Sequence, residues 1–236
     1  MKSKIEDLTN RGFVKQGFEN DFNALSLASK LSLLKSSNAT ERTLGARLLS
    51  GEKMPVAENL IQALKIEKKL YSKIEICKAL VAHGKSSIKL LINELGIIGS
   101  NQHKHIPEKE FGKDNYPLPR DIAARTLANI GPAALPELLR VIEKNTPVEI
   151  SEAIDAIGFI CFYNPQPNIF GKLEACYINY SNCDLIRWKI IRSMSGFPES
   201  MQFLLKQKST LTNIRIIKEI DRSIRLIEKQ KNTIHQ

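Results

Sequence analysis

Aromatic residues are scarce in this chain, at 6% of 236 residues, whereas leucine, isoleucine and alanine are abundant. This composition favours the packing of helix against helix over a β-sandwich. No apolar run approaches the roughly 20 residues of a membrane span. The first residues carry acidic side chains and lack the apolar stretch of a signal peptide. We therefore expect a cytoplasmic, all-α protein.

Several motifs that mark enzymes and metal proteins are also missing. The four cysteines show no C-x-x-C pairing and no ligand-like spacing with histidine, which predicts free thiols. These are Cys77, Cys161, Cys176 and Cys183. Neither a glycine-rich phosphate loop nor a Ser-His-Asp set is evident. We predict no catalytic residue, no metal and no cofactor, and we leave enzymatic activity open.

The segment 122–139 has a weaker copy upstream, and this repetition predicts the fold. Each copy reads as a helix, a glycine break and a second helix. An offset of 47 residues, 131 − 84, superposes Leu80 on Leu127 and Gly84 on Gly131. Repetition of a two-helix unit is the signature of an α-solenoid, because no single unit can bury its apolar face alone.

We predict about five such helix pairs, with a capping helix at each end of a single domain over 1–236. Asn38, followed by Glu41, is a plausible helix start, and Thr146 with Glu149 forms a capping box. The cap at 5–35 precedes pairs at 40–64, 71–95, 119–143, 146–180 and 185–205, and an apolar stripe over 216–227 marks the final helix.

The third pair carries a family resemblance. Its pattern Ala-Ala-x-x-Leu-x-x-Ile-Gly occupies 123–131 and is followed by Ala134, Leu135, Leu138 and Leu139. This pattern resembles the HEAT-repeat family, especially the short bacterial repeats also seen in phycobilisome lyases, and the likeness fades across 39–210. Family copies often begin with an aspartate and a Val-Arg pair, for which only Arg120-Asp121 stands here, in reversed order. The resemblance implies a binding scaffold, and less directly a lyase-like enzyme.

Residues at about 100–118 interrupt the repeat. They lack helical periodicity, and a loop this long within a helical array is unusual unless it is functional or disordered. Phe111 and Tyr116 argue for packing, since disordered segments tend to lack aromatic residues. We expect this segment to fold over one surface and help form a binding site; the alternative is a passive insertion.

Two histidines in this segment are candidates for binding. His103 and His105 would hold a metal only if Glu108 or Glu110 converged on them, and Lys104 between them would repel a cation. An exposed pair of loop histidines is the favoured interpretation.

Other candidate contacts lie at helix starts and on second helices. Arg120, Asp121 and Arg125 either stabilise a helix start and pair with a neighbouring carboxylate, or anchor a ligand beside the insertion. The resemblance further implies a concave face lined by second helices. Its candidate contacts are Lys89, Asn93, Glu137, Arg140 and Lys144.

The net charge of +10 is concentrated in two regions. Residues 203–236 hold eight Lys or Arg against three Asp or Glu, and residues 37–99 hold ten against six. Such regions bind nucleic acid or an acidic partner, or are simply solvated helix faces. Nucleic acid would be contacted by the final helix through Lys218, Arg222, Arg225 and Lys229. Otherwise we expect these side chains to face solvent.

Two further expectations bear on function. Trp188 shares a helical spacing with Leu185 and Ile191 and is predicted to lie in the core. No cluster of aromatic residues is evident on a polar face, which disfavours a DNA glycosylase of HEAT-like repeats. Glu149 and Glu152 fall three positions apart, where carboxylates are usually solvated.

The leading hypothesis is a non-catalytic HEAT-like scaffold that binds a macromolecular partner, with a protein favoured, through its concave face and the 100–118 segment. A nucleic-acid-binding module is the alternative, and a lyase-like enzyme is the second alternative.

Overall fold

The computed structural model describes residues 4–234 of the chain. Within that range the chain forms α-helices and short 3-10 helices and no β-strand, so the all-α prediction is confirmed. None of the described helices is both long and apolar enough to cross a membrane. The chain divides into two compact units, Met1–Asn93 and Glu94–Gln236. The single domain over 1–236 stays a prediction. His235, which we expect from its terminal position to lie in a frayed tail, is outside the described residues.

The first unit contains six α-helices within its described part. They are α1 (Ile5–Asn10), α2 (Leu27–Leu34), α3 (Ala39–Ser50), α4 (Ala57–Ile66), α5 (Leu70–Ala82) and α6 (Lys85–Ile92). Asn38 begins α3 as predicted, because its side chain accepts a hydrogen bond from the backbone N–H of Thr40 at 2.9 Å. Helix α3 packs between α2 and α5, and α4 packs against α5 and α6.

The predicted N-terminal cap at 5–35 is broken into shorter elements. Helix α1, a 3-10 helix at Phe18–Phe22 and α2 follow one another. Gly12 and Gly17 separate α1 from the 3-10 helix, and both have the positive φ that favours glycine. A side chain at Gly12 would also meet the hydroxyl of Ser72. Helical spacing alone could not reveal these two turns.

The second unit contains the remaining α-helices. They are α7 (Ile122–Ile130), α8 (Leu135–Lys144), α9 (Pro147–Tyr163), α10 (Phe170–Asn179), α11 (Asp184–Ser193), α12 (Met201–Thr210) and α13 (Ile214–Ile234). The capping box at Thr146 and Glu149 starts α9, as predicted. Helix α9 packs against α7, α8 and α11, and α11 packs against α13. Most of α9 is buried, which makes it the central helix of this unit.

Asp121 performs the structural role that the sequence predicts. It is fully buried at the start of α7, and its carboxylate accepts hydrogen bonds from the backbone N–H of Ala124 at 2.8 Å and of Gly96 at 3.2 Å. It also accepts one from the side chain of Gln102 at 2.8 Å. Burial raises the pKa of Asp121, while these hydrogen bonds lower it. The residue therefore ties the chain before the 100–118 segment to α7.

The expected ion pairs of Arg120 and Arg125 are not formed within residues 4–234. Arg125 instead donates from Nε to the carbonyl of Pro119 at 2.8 Å, and Arg120 is exposed. Arg125 lies near the start of α7, where its side chain reaches the backbone carbonyl of Pro119 and no carboxylate of the described residues is within ion-pair distance.

We expect Asp121→Ala to lower the free energy of unfolding by about 1–3 kcal/mol, because it removes a helix N-cap and leaves buried donors without an acceptor. Asp121→Asn keeps an acceptor oxygen and should lose less. Urea unfolding followed by circular dichroism measures both; equal loss in the two variants would contradict the capping role.

Candidate binding cleft

The 100–118 segment forms neither helix nor strand, and it lies along one side of α13. Its carboxylates pair with the basic side chains of that helix. Glu110 pairs with Lys218 at 2.6 Å, Asp114 with Lys229 at 3.0 Å and with Arg225 at 3.7 Å, and Glu108 with Arg215 at 3.9 Å. The Lys229 ammonium, and secondarily Arg225, lowers the pKa of Asp114. The cations that the sequence offers to nucleic acid are thus already engaged within the unit.

Arg222 corrects the expectation of a solvent-facing helix. Only 5% of it is exposed, and its guanidinium donates to Glu219 at 2.9 Å. It also donates to the backbone carbonyls of Asn115 at 2.7 Å and Lys113 at 3.2 Å, and lies 5.1 Å from the centre of the Phe111 ring. The segment covers Arg222, and helical periodicity does not predict that cover.

A buried ionic cluster lies beside this segment. Lys189 on α11 is fully buried, and its ammonium contacts Glu152 at 2.9 Å and Asp155 at 2.8 Å, both on α9. One turn further along α11, Arg192 pairs with Glu219 of α13 at 3.3 Å. The prediction that Glu152 is solvated is wrong, because α9 is enclosed by neighbouring helices.

With Arg222, which also pairs with Glu219, the cluster holds three cations and three carboxylates, yet burying it is costly. Burial raises the pKa of Glu152, and the Lys189 ammonium opposes that shift. Moving charges out of water costs several kcal/mol per ion, which attraction between them offsets only when the contacts are close. A buried ionic cluster of this kind is weak evidence for high stability. It is stronger evidence that charged contacts fix the positions of α9, α11 and α13 relative to one another.

Trp188 is buried, as predicted, and it joins the cluster to the histidine of the segment. The Arg192 guanidinium lies 3.8 Å from the centre of its ring, within cation–π range. His103 approaches the same ring edge-on, with centroids 5.4 Å apart. Burial lowers the pKa of His103 to about 4, against the opposing charge of Asp155. The expected exposed pair is therefore wrong for His103, whereas His105 is exposed.

The segment and α9 together border a cleft of about 810 Å³ in the second unit. Its walls include four aromatic rings, from Phe111, Tyr116, Phe159 and Tyr163. The rings of Phe159 and Tyr163 are 4.9 Å apart, and those of Tyr116 and Phe159 are 6.4 Å apart. This aromatic cluster was missed because two of its members come from α9 and two from a non-helical segment far away in sequence.

The floor of the cleft is polar. Asp155 and Arg192 both line it, each at least nine-tenths buried, so it presents a hydrogen-bond acceptor beside a donor. Tyr116 is also buried, and its hydroxyl has no hydrogen-bond partner within the described chain. Burial raises the pKa of that hydroxyl well above its usual value. The phenol lies so close to Gly158 that a methyl group at position 158 would overlap it, and that methyl group would also be too close to the Cβ of Ser193.

Three cations surround the mouth of the cleft. Lys109, Lys113 and Arg120 line it, and none of them forms an ion pair with any described residue. Four cations of α13 differ in this respect, because they pair with carboxylates of the segment: Arg215, Lys218, Arg225 and Lys229. The cleft therefore offers aromatic walls, a polar floor and uncompensated positive charge.

The predicted site residues are only partly brought together. His103 and Arg120 line the cleft, whereas Asp121 and Arg125 hold the start of α7. The second-helix candidates lie elsewhere. Lys89 is exposed on α6 of the first unit, and Asn93 is exposed just after that helix ends. Glu137, Arg140 and Lys144 lie on α8 of the second unit. On α8, Arg140 donates to Glu137 at 2.5 Å.

Comparison with models of known families, with curated proteins and with solved structures gave no match to this chain. Among the described residues, no group of three or more His, Cys, Asp or Glu side chains is placed to hold a metal ion.

Replacing Lys189 by Met should lower the free energy of unfolding by about 3–5 kcal/mol, because Glu152 and Asp155 would be left buried without a counter-charge. Trp188, the only tryptophan, reports unfolding by its fluorescence. Adding Glu152→Gln and Asp155→Asn to Lys189→Met should recover much of the loss. If the triple variant is no more stable than Lys189→Met, unpaired charge is not the cause.

The lowered pKa of His103 predicts a pH dependence. The stability that neutral His103 contributes is complete above pH 6.5 and is lost as the pH falls toward 4, because the unfolded chain then binds the extra proton. The raised pKa of Glu152 acts with the opposite sign in an overlapping range, so variants must separate the two.

Between pH 7 and pH 4.5, His103→Asn should lose roughly 1–2 kcal/mol less stability than the unmodified protein, after allowance for the partial exposure of the ring. Urea midpoints from Trp188 fluorescence provide the measurement. His105→Asn is the matched control and should follow the unmodified protein. A parallel response of both variants would remove His103 as the cause.

Proposed function

We propose that this protein is a non-catalytic binding protein built of HEAT-like helix pairs, and that it captures a protein partner at the cleft beside the 100–118 segment. One observation carries the proposal. The segment forms a cleft with aromatic walls and unpaired cations, while its carboxylates pair with Lys218 and Lys229 of α13 on its other side.

The helix contacts within each unit support the repeat. In the first unit α3 packs against α5, and α4 against α6. In the second, α9 packs against α7 and α11, and α8 packs against α10. First helices thus contact first helices, and second helices contact second helices, as stacked pairs of an α-solenoid would.

The contacts of Asp155 and Arg192 in the floor of the cleft favour a role in ligand binding over a role in proton transfer. Asp155 is held by Lys189 at 2.8 Å, and Arg192 is held by Glu219 and by the ring of Trp188. Groups fixed in this way are preorganised to recognise a ligand. The lyase-like alternative has only the resemblance behind it, and the four cations of α13 that would contact nucleic acid are paired with Glu110, Asp114 and Glu219.

The mouth of the cleft exposes apolar side chains that a partner would cover. Tyr163 is 48% exposed and Leu118 is 53% exposed, and both line the cleft. Aromatic and apolar groups at the centre of an interface carry most of its binding energy. Ile178 and Leu205 are exposed to a similar degree, 64% and 52%, away from this cleft, and serve as matched controls.

We expect Tyr163→Ser combined with Leu118→Ser to reduce capture of the partner at least tenfold, because both anchors of the interface are lost. The measurement is a pull-down from nuclease-treated native lysate, quantified by mass spectrometry. Ile178→Ser with Leu205→Ser should leave capture unchanged.

A further pair of changes, Arg140→Glu with Lys144→Glu, tests the second-helix surface in the same assay. Capture that depends on this pair and not on the cleft pair would move the interface to α8. Capture that vanishes with nuclease would replace the protein partner by nucleic acid.

A further inference from the structure

The charged side chains that line the cleft predict whether its ligand is an anion or a cation. Four Lys or Arg residues line it, Lys109, Lys113, Arg120 and Arg192, against two acids, Glu110 and Asp155, a balance of 4 − 2 = +2. Three of these groups are paired with residues that do not line the cleft: Glu110 with Lys218 at 2.6 Å, Asp155 with Lys189 at 2.8 Å and Arg192 with Glu219 at 3.3 Å. Lys109, Lys113 and Arg120 remain without an ion-pair partner among the described residues. The ligand that complements this cleft is therefore anionic.

Ion pairs within the unit already join its cations to acidic side chains of an irregular segment. An extended stretch of backbone, the 100–118 segment, lays Glu108, Glu110 and Asp114 against α13. A phosphate backbone carries a negative charge at every nucleotide, and it would meet only three cations of the cleft that form no ion pair with a described residue, Lys109, Lys113 and Arg120. A short acidic peptide needs fewer cations than a phosphate backbone does, because it carries negative charge only at its acidic residues.

The walls and floor add an anchor to this charge preference. The exposed ring of Tyr163 and the half-buried ring of Phe159 form an aromatic wall, and an inserted aromatic side chain gains from edge or offset contact with such rings. A peptide bond carries one N–H donor and one carbonyl acceptor. Asp155 and Arg192 present the complementary acceptor and donor.

We propose that the cleft recognises an acidic peptide segment with an aromatic anchor residue, an inference that rests on the proposed function. The anchor enters between the aromatic walls, and the flanking carboxylates contact Lys109, Lys113 and Arg120. Because these cations lie at the solvent-exposed mouth, the affinity falls as the salt concentration rises.

A fluorescent blocked heptapeptide, with a central tryptophan flanked on each side by three aspartates, tests this assignment on the full chain. We expect saturable binding that weakens at least tenfold when the tryptophan becomes glycine or the aspartates become lysines. The triple change Lys109→Gln, Lys113→Gln and Arg120→Gln should weaken binding at least tenfold. Lys172→Gln, Lys206→Gln and Lys208→Gln remove as much charge elsewhere in the unit and should change it less than threefold.

Equal weakening by the two triple variants would overturn the assignment, since binding would then follow overall charge. Tighter binding of a single-stranded thymidine octamer, lost in the cleft variant, would reassign the cleft to nucleic acid. If the heptapeptide fails to bind while Tyr163→Ser with Leu118→Ser still abolishes capture, this inference fails and the proposed function stands. If the heptapeptide binds but Tyr163→Ser with Leu118→Ser leaves capture of the partner unchanged, the proposed function fails.

Discussion

The attraction between the Lys189 ammonium and two carboxylates on α9 is the interaction on which the second unit depends. Glu152 and Asp155 lie three positions apart on a buried helix, so their charges would repel each other strongly without it. The ammonium joins both to α11, and Arg192 on α11 extends the network to Glu219 on α13. Three helices are thereby fixed by groups that tolerate little displacement.

The same network determines where the 100–118 segment lies. Glu219 orients Arg222, and Arg222 donates to the carbonyls of Lys113 and Asn115. An apolar core of equal volume could be as stable, but it would offer these carbonyls no donor. The charged network therefore specifies the path of a segment that has no secondary structure of its own. The cleft exists because that path is specified.

Local signals in the sequence account for most of the helices and for little of the cleft. The capping box at Thr146, the break at Gly131 and the stripe over 216–227 act within a few residues, so they are readable from the sequence. The path of the segment depends on contacts such as that of Asn115 with Arg222, 107 positions apart. One signal for the cluster was available: α9 is apolar on all sides, so its carboxylates needed buried partners.

The contact between Tyr116 and Gly158 has a consequence for the ancestry of this chain. The phenol fills the space that a side chain at 158 would need, and Ser193 closes that space from α11. Positions 116 and 158 must therefore change together over evolutionary time, because a larger residue at one requires a smaller residue at the other. A descendant that exchanged their sizes would lose the Tyr116 ring from the wall of the cleft, so the shape of the cleft would change through a contact that holds the segment against α9.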